Sequence, residues 1–284
     1  MYMEKCTWPN KYKSAVFISV NLSAELFWIQ VNEAAIDMPK TLSMGEYGML
    51  RGLQRVLSVF DSYKIKATFF TPGKIAEKYT ESIKNIFSRG HEIASMGYSH
   101  ENYGLLTIEE QKKYLERAVD AITRSCGVSP KGFRAPMGDL TIETLEIARD
   151  LGMFYSSNLS EDDRPFWKEL KRNGKIVEIP IHWSLYDLPY FALNYKPVAF
   201  PAGQGRIANY TNVLDNWKDE FSGYHDYGLC FALQLDPQII GTPGRIMMLD
   251  DFCKYMTGYS DIWISTGAEI AEYVSNGTYK EGSE

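Results

Sequence analysis

The sequence predicts an α/β protein in which a parallel sheet closes into a barrel. Three observations lead there. Short β-branched or aromatic runs alternate with longer stretches of helical periodicity over nearly the whole chain. So many strand–helix units favour closure over an open sheet. The polar residues able to carry chemistry fall just after predicted strands, at the shared C-terminal mouth where barrel sites form. At 284 residues one barrel uses the whole chain, so 1–284 reads as a single domain.

Strands are expected at 15–22, 66–70, 91–95, 132–136, 154–158, 176–181, 228–235 and 262–266, where apolar, β-rich runs are bounded by turn residues. Leu50, Leu53, Val56, Leu57 and Phe60 recur at helical spacing, as do Ile75, Tyr79, Ile83 and Ile86. The Thr107-Ile108-Glu109-Glu110 run fits a capping box, in which hydroxyl and carboxylate satisfy the first unpaired amides of a helix over 107–125. Thr141 begins another helix, and Gly152 can end it in the left-handed conformation. The segment 186–226, rich in Tyr, Pro and Gly, reads as a long excursion over one barrel end. Gly203-Gln204-Gly205 and Gly241-Thr242-Pro243-Gly244 read as turns, since neither opens a helix after a strand as a phosphate loop would.

Composition narrows the function classes. Apolar residues make up 45% and charged residues 23%, enough for a full core. The net charge of −6 offers no basic patch for nucleic acid or anionic lipid. No apolar run reaches the roughly 18 residues of a membrane span, and the first residues hold no apolar leader core, so a cytoplasmic protein is expected. Cys6, Cys126, Cys230 and Cys253 are scattered without a CxxC pair, which suits reduced thiols.

The segment 89–103, RGHEIASMGYSHENY, reads as a strand opening into a loop that could bear a metal. Zinc-type sites need several imidazoles, thiolates or carboxylates converging on one point. Four residues before His100, however, stands Met96, a thioether and a poor zinc ligand. Asn21 to Glu25, Met96 to His100, Arg134 to Gly138, Asp162-Asp163 and Asp236 all follow predicted strands, so they share the barrel mouth.

In order along the chain, WPNKYKSAVFISVNLSAE, GHEIASMGYSHENY, FRAPMGDLT, EDDRPFW, EIPIHWSLYD, LQLDPQIIGTPGR and WISTGAEIAEY cover roughly residues 8–273. This set resembles the polysaccharide deacetylase family (carbohydrate esterase family four), and within it the branch of intracellular peptidoglycan-deacetylase-like proteins and metal-independent allantoinases. The resemblance implies a distorted (β/α) barrel of the polysaccharide deacetylase type that hydrolyses amide bonds other than peptide bonds. It also implies a pattern from which this chain departs. Where the family's first motif, Phe-Asp-x-Asp-Ala-Glu, places a base and a metal ligand, this chain has Asn21 and Ser23, with Ala24 and Glu25 kept. Where two histidines stand four apart, it has Met96 and His100. Where a Leu-His-Pro histidine protonates the leaving amine, it has Leu235-Asp236-Pro237. Arg134 matches the arginine that orients the family's base.

The expected site is therefore a rebuilt pocket without a metal or other cofactor. His100, Arg134 and Asp236 are the candidate catalytic residues: base, anion stabiliser and acid. Asp236 has a second reading as the salt-bridge partner of an arginine, with Arg134 able to hold it. Asn21, Ser23, Glu25, Met96, Tyr98, Pro136 and Asp163 are the candidate substrate-binding residues. His91 is expected to be structural, and His182 and His225 surface or packing residues. The expected substrate is a small-molecule amide, either an N-acetyl sugar or a small cyclic amide or imide, with no nucleic-acid or membrane partner. The rival expectation is a pseudoenzyme that binds such a molecule without turnover. The resemblance further implies a homo-oligomer, with a tetramer as the candidate state.

Overall fold

The sheet is centred on β1, Ser14–Asn21, every residue of which is buried. A strand covered on both faces reads as a near-continuous apolar run, as SAVFISV does here. In the computed structural model, which describes residues 6–172, 174–192, 208–277 and 279, eight further strands follow. They are β2 (Thr68–Thr71), β3 (Glu92–Ser95), β4 (Gly132–Phe133), β5 (Tyr155–Ser156), β6 (Phe166–Glu169), β7 (Lys175–Glu178), β8 (Cys230–Leu235) and β9 (Ile262–Ser265). Their order is β6-β7-β5-β4-β3-β2-β1-β8, with β9 also on β1. β2 pairs with the C-terminal end of β1 and β9 with its N-terminal half. Every pairing is parallel except β6 with β7. A single bridge from Tyr186 to Gln234 brings the chain leaving β7 back beside β8, so the sheet curls round most of a circle. This is the distorted (β/α) barrel that the sequence implies.

The helices are α1 (Ala24–Val31), α2 (Pro39–Tyr47), α3 (Leu53–Tyr63), α4 (Gly73–Lys78), α5 (Thr80–Ser88), α6 (Ile108–Cys126) and α7 (Ile142–Asp150). After them come α8 (Asp187–Phe191), α9 (Tyr210–Tyr227), α10 (Pro237–Ile240), α11 (Pro243–Met256) and α12 (Gly267–Ser275). The capping box at Thr107 forms in full with Glu110, and Gly152 takes a positive φ of 91° just past α7. Val16, Ile18 and Val20 of β1 pack outward against the helices, while Ala15 and Phe17 join Phe70, Ala94, Met96, Tyr155 and Val177 inside the barrel.

Several expectations on elements are corrected. The stripe Ile75–Tyr79–Ile83–Ile86 is two helices, because Tyr79 leaves the helical region (φ −118°, ψ 39°) with its phenol near Glu25. The strand expected over 132–136 stops at Phe133, since Ala135 N donates to Asn158 Oδ1 (2.6 Å) and Pro136 has no N–H. β6 was not expected; it is a half-exposed edge strand without the alternation that marks a strand in sequence. Of the segment 186–226, residues 193–207 lie outside the described residues. Its last part is an ordinary barrel helix, α9, capped by Asn209 and burying Val213, Trp217, Phe221 and His225. That stripe is one residue wide, which hides it among the Tyr, Asp, Asn and Lys around it.

Candidate active site

The chain leaves β1 at Asn21 and turns sharply into α1. Ser23 sits at the turn and the next residue, Ala24, has φ +47°, a left-handed conformation unusual for a residue with a side chain. Beyond β3 the loop 97–101 folds around the Glu101 carboxylate, which accepts from Tyr98 N (3.0 Å), Ser99 N (2.6 Å) and Ser99 Oγ (2.6 Å). His100 itself is left-handed (φ +70°), and this conformation swings its ring back over the barrel mouth. The first strand end and the third loop thus deliver Ser23 and His100 to one point.

There Ser23 Oγ lies 2.9 Å from His100 Nε2, and Gln30 Oε1 lies 2.6 Å from His100 Nδ1. Gln30 Nε2 donates to the carbonyl of Met137, which turns its amide oxygen toward the imidazole. Nδ1 therefore carries the proton and Nε2 offers its lone pair to the Ser23 hydroxyl. Met96 Sδ stands 3.6 Å from the same hydroxyl. Burial, which disfavours the charged ring, brings the His100 imidazole down to about 3, so it is neutral at physiological pH.

Arg134, arriving from β4, is buried beneath this pair. Its Nε donates to Ser157 O (3.0 Å), Nη2 to Ser157 Oγ (2.8 Å), and Nη1 to Ser19 Oγ (2.8 Å) and Asn21 Oδ1 (3.0 Å). The guanidinium lies 4.1 Å above the Phe70 ring. Burial lowers it to about 10, and it remains a cation. Glu178, at the end of β7, accepts from Leu159 N (2.8 Å) and is pushed up to about 7 by burial.

Asp236 begins α10 beside a second carboxylate. Its backbone N donates to the Asp187 carboxylate (3.0 and 3.2 Å), and its Oδ2 accepts from Tyr186 Oη (2.5 Å). Burial pushes Asp236 up to about 6, against the hydrogen bond from Tyr186 and the field of Arg134. Asp187 is also pushed well above the usual carboxylate range, by burial first and then by Asp236. In place of the salt bridge expected between Asp236 and Arg134, Asp236 takes the Tyr186 bond, while Arg134 directs four hydrogen bonds to Ser19, Asn21 and Ser157.

These groups surround a cavity of about 300 Å³. Asn21, Ser23, Met96, His100, Arg134 and Pro136 line it, as expected from the sequence. Four other candidates do not line it. Glu25 turns to Lys78 (2.7 Å) and Tyr79 (3.3 Å). Tyr98 donates to Glu77 (3.0 Å) with Arg117 3.8 Å over its ring. Asp163 accepts from Tyr224 Oη (2.7 Å) at a separate depression. Asp236 stands behind Tyr186, which does line the cavity. The remaining histidines are structural: His91 lies between Phe60 and Phe69, His182 caps a short turn at Ser184, and His225 packs between Phe221 and Tyr259. Gln30, Tyr186, Asn158 and Gln234 were missed in the sequence. Gln30 was findable, since positions 23, 27 and 30 share one face of a helix.

The donor set does not fit a catalytic zinc. It consists of an amide, a hydroxyl, a thioether and one imidazole whose Nε2 already accepts a hydrogen bond from Ser23. Among the described residues no group of three or more His, Cys, Asp or Glu is placed to hold a metal ion.

Comparison with known proteins supplies the family. A family model for polysaccharide deacetylase matches residues 46–156. A solved structure from Mycobacterium smegmatis, provisionally described as a polysaccharide deacetylase, is 30% identical, with a TM-score of 0.89 over 98% of this chain and 95% of that one. The chain belongs to the polysaccharide deacetylase family. As a member it is a deacetylase-like hydrolase in fold and descent. A curated relative, the peptidoglycan deacetylase of Helicobacter pylori, is 26% identical over 90% of this chain and 94% of its own length. The structure of Puue allantoinase shares the fold, at 21% identity and a TM-score of 0.81 over 96% of this chain and 94% of that one. Among the described residues no helix of this deacetylase-family barrel is long and apolar enough to cross a membrane.

Proposed function

We propose that the chain hydrolyses the carbon–nitrogen bond of a small non-peptide amide, an N-acetyl sugar or a cyclic amide or imide, without a metal ion. The observation that carries this is the buried, neutral His100, whose Nε2 faces the cavity while Gln30 fixes its tautomer. An imidazole in this tautomer offers its Nε2 lone pair to a nucleophile's proton, against the cost that burial places on the charged ring. Tyr186 adds a second polar group: its phenol lines the cavity and is held by the hydrogen bond it donates to Asp236. Arg134 acts through Asn21, holding the amide oxygen so that the amide N–H2 is the end offered as a donor. The absence of carboxylate from the base and ligand positions supports metal independence. A homo-oligomer in the cytoplasm goes with the same proposal.

The same substitutions favour a second reading, a pseudoenzyme that binds such a molecule without turnover. The two separate on a panel of N-acetylglucosamine oligomers, hydantoins and cyclic imides, assayed with a chelator present. Release of amine or carboxylic acid that the chelator leaves unchanged supports the hydrolase. Calorimetric binding with no release supports the pseudoenzyme.

A further inference from the structure

We infer that Ser23 is a covalent nucleophile, activated by His100 with Gln30 as the positioning residue, so that hydrolysis runs through an acyl-serine intermediate. This rests on the hydrolase proposed above and goes beyond it by naming the atom that attacks. The hydroxyl, imidazole and amide are linked in turn, at 2.9 Å and 2.6 Å, and both Ser23 and His100 line the cavity. A hydroxyl within hydrogen-bond reach of a base that a third group orients is the arrangement of an activated nucleophile. The orienting group is an amide, so the imidazole is held in one tautomer without a neighbouring negative charge. Met137, whose carbonyl fixes the Gln30 amide, also lines the cavity, so the relay is anchored to its wall.

The backbone supports the same assignment. Ala24, next to Ser23, and His100 both hold left-handed φ values without being glycine. Such strain persists where surrounding structure enforces it, and it concentrates at working sites. Here the enforcing contact is visible: a Cβ added at Gly45 would stand 2.3 Å from Glu25 N, so α2 presses on the first turn of α1. The turn that carries Ser23 is thereby fixed from outside the cavity.

The chemistry balances with water as the only co-reactant. Ser23 Oγ bonds to the acyl carbon of the substrate as its proton passes to His100 Nε2. The carbon–nitrogen bond then breaks and the nitrogen takes that proton, releasing the amine and leaving an acyl ester on Ser23. Water next attacks the acyl carbon and gives its proton to Nε2. The Oγ–carbon bond breaks, Oγ takes the proton back, and the carboxylic acid departs.

The test is intact-mass spectrometry and peptide mapping after treating the full chain with a small fluorophosphonate, from which fluoride leaves as the Oγ–P bond forms. One adduct per chain at Ser23 is expected. It should be lost in Ser23→Ala and formed roughly 100-fold or more slowly in His100→Ala, with both variants melting as cooperatively as the parent. Gln30→Glu should restore labelling that Gln30→Ala slows, which a merely structural role for Gln30 would not require. Absence of an adduct at Ser23, or labelling elsewhere only, overturns the assignment. Amide turnover on the panel above that survives in Ser23→Ala overturns it too, while leaving the hydrolase standing. An adduct at Ser23 without turnover of any panel amide keeps the nucleophile and removes the proposed activity.

Discussion

Restoring a zinc site tests whether this mouth kept the geometry of the family while losing its ligands. The perturbation is the triple change Asn21→Asp, Ser23→Asp and Met96→His. Tetrahedral zinc with donors near 2.0 Å sets them ~3.3 Å apart. Ser23 Oγ is 2.9 Å from His100 Nε2 and 3.6 Å from Met96 Sδ, values on either side of that spacing. The supporting bond is also in place, since Gln30 already accepts the hydrogen bond from Nδ1–H and leaves Nε2 for a metal. The energetic consequence differs between the two new carboxylates. At position 21 the carboxylate meets Arg134 Nη1, now 3.0 Å from the amide oxygen, and is compensated. At position 23 it has no cation, and an uncompensated buried carboxylate costs roughly 3–5 kcal/mol. The apo triple variant should therefore melt roughly 10 °C below the parent. Zinc at a thousand times its dissociation constant returns about 4 kcal/mol, most of that loss. Calorimetry and thermal melts with and without zinc read both quantities. Binding weaker than about micromolar would show that the loops bearing residues 23, 96 and 100 do not converge as described.

Further outcomes follow from the same structure. The parent purified without a metal-binding tag should carry far less than one zinc, cobalt or nickel per chain by elemental analysis. Glu178, pushed from 4.5 to about 7 by burial, takes up a proton in the folded state that the unfolded chain does not. Its own contribution to stability should thus fall as pH rises from about 4.5 through about 7, by at most roughly 3 kcal/mol. Glu178→Gln should flatten that fall relative to the parent in melts from pH 4.5 to 8, and parallel curves would refute it. A Cβ at Gly52 would stand 2.0 Å from Pro237 O, a backbone atom, so Gly52→Ala should cost about 2 kcal/mol or more in denaturant unfolding. Light scattering over a wide concentration range should show a species heavier than one chain; a monomer throughout would count against the proposed oligomer.

The residues themselves determined the barrel, because alternating strand and helix periods admit few other solutions and parallel strands put all their C-terminal ends on one side. For that reason the strand pattern alone puts Asn21, Ser23, Met96, His100, Arg134 and Pro136 at one end of the barrel, where they line one cavity. Period alone did not fix which way a side chain turns once it leaves its strand. Glu25 follows the same strand as Ser23, yet the helical rotation of α1 carries it to Lys78 on the far side. Tyr98 lies two residues from His100, yet the loop wrapped around Glu101 points it at Glu77. The same rotation brings Gln30, two helical turns on, back to the imidazole. Tyr186 enters from the chain beyond β7 through a single bridge to β8, a contact set by how far the sheet curls. Asp236 follows its strand as expected, but burial beside Asp187 and Tyr186 sets its partner and its affinity for a proton. Local pattern dictates which strand end a residue occupies; helix rotation, loop wrapping and sheet curvature decide which of those residues meet, because they act over distances that no short run of sequence encodes.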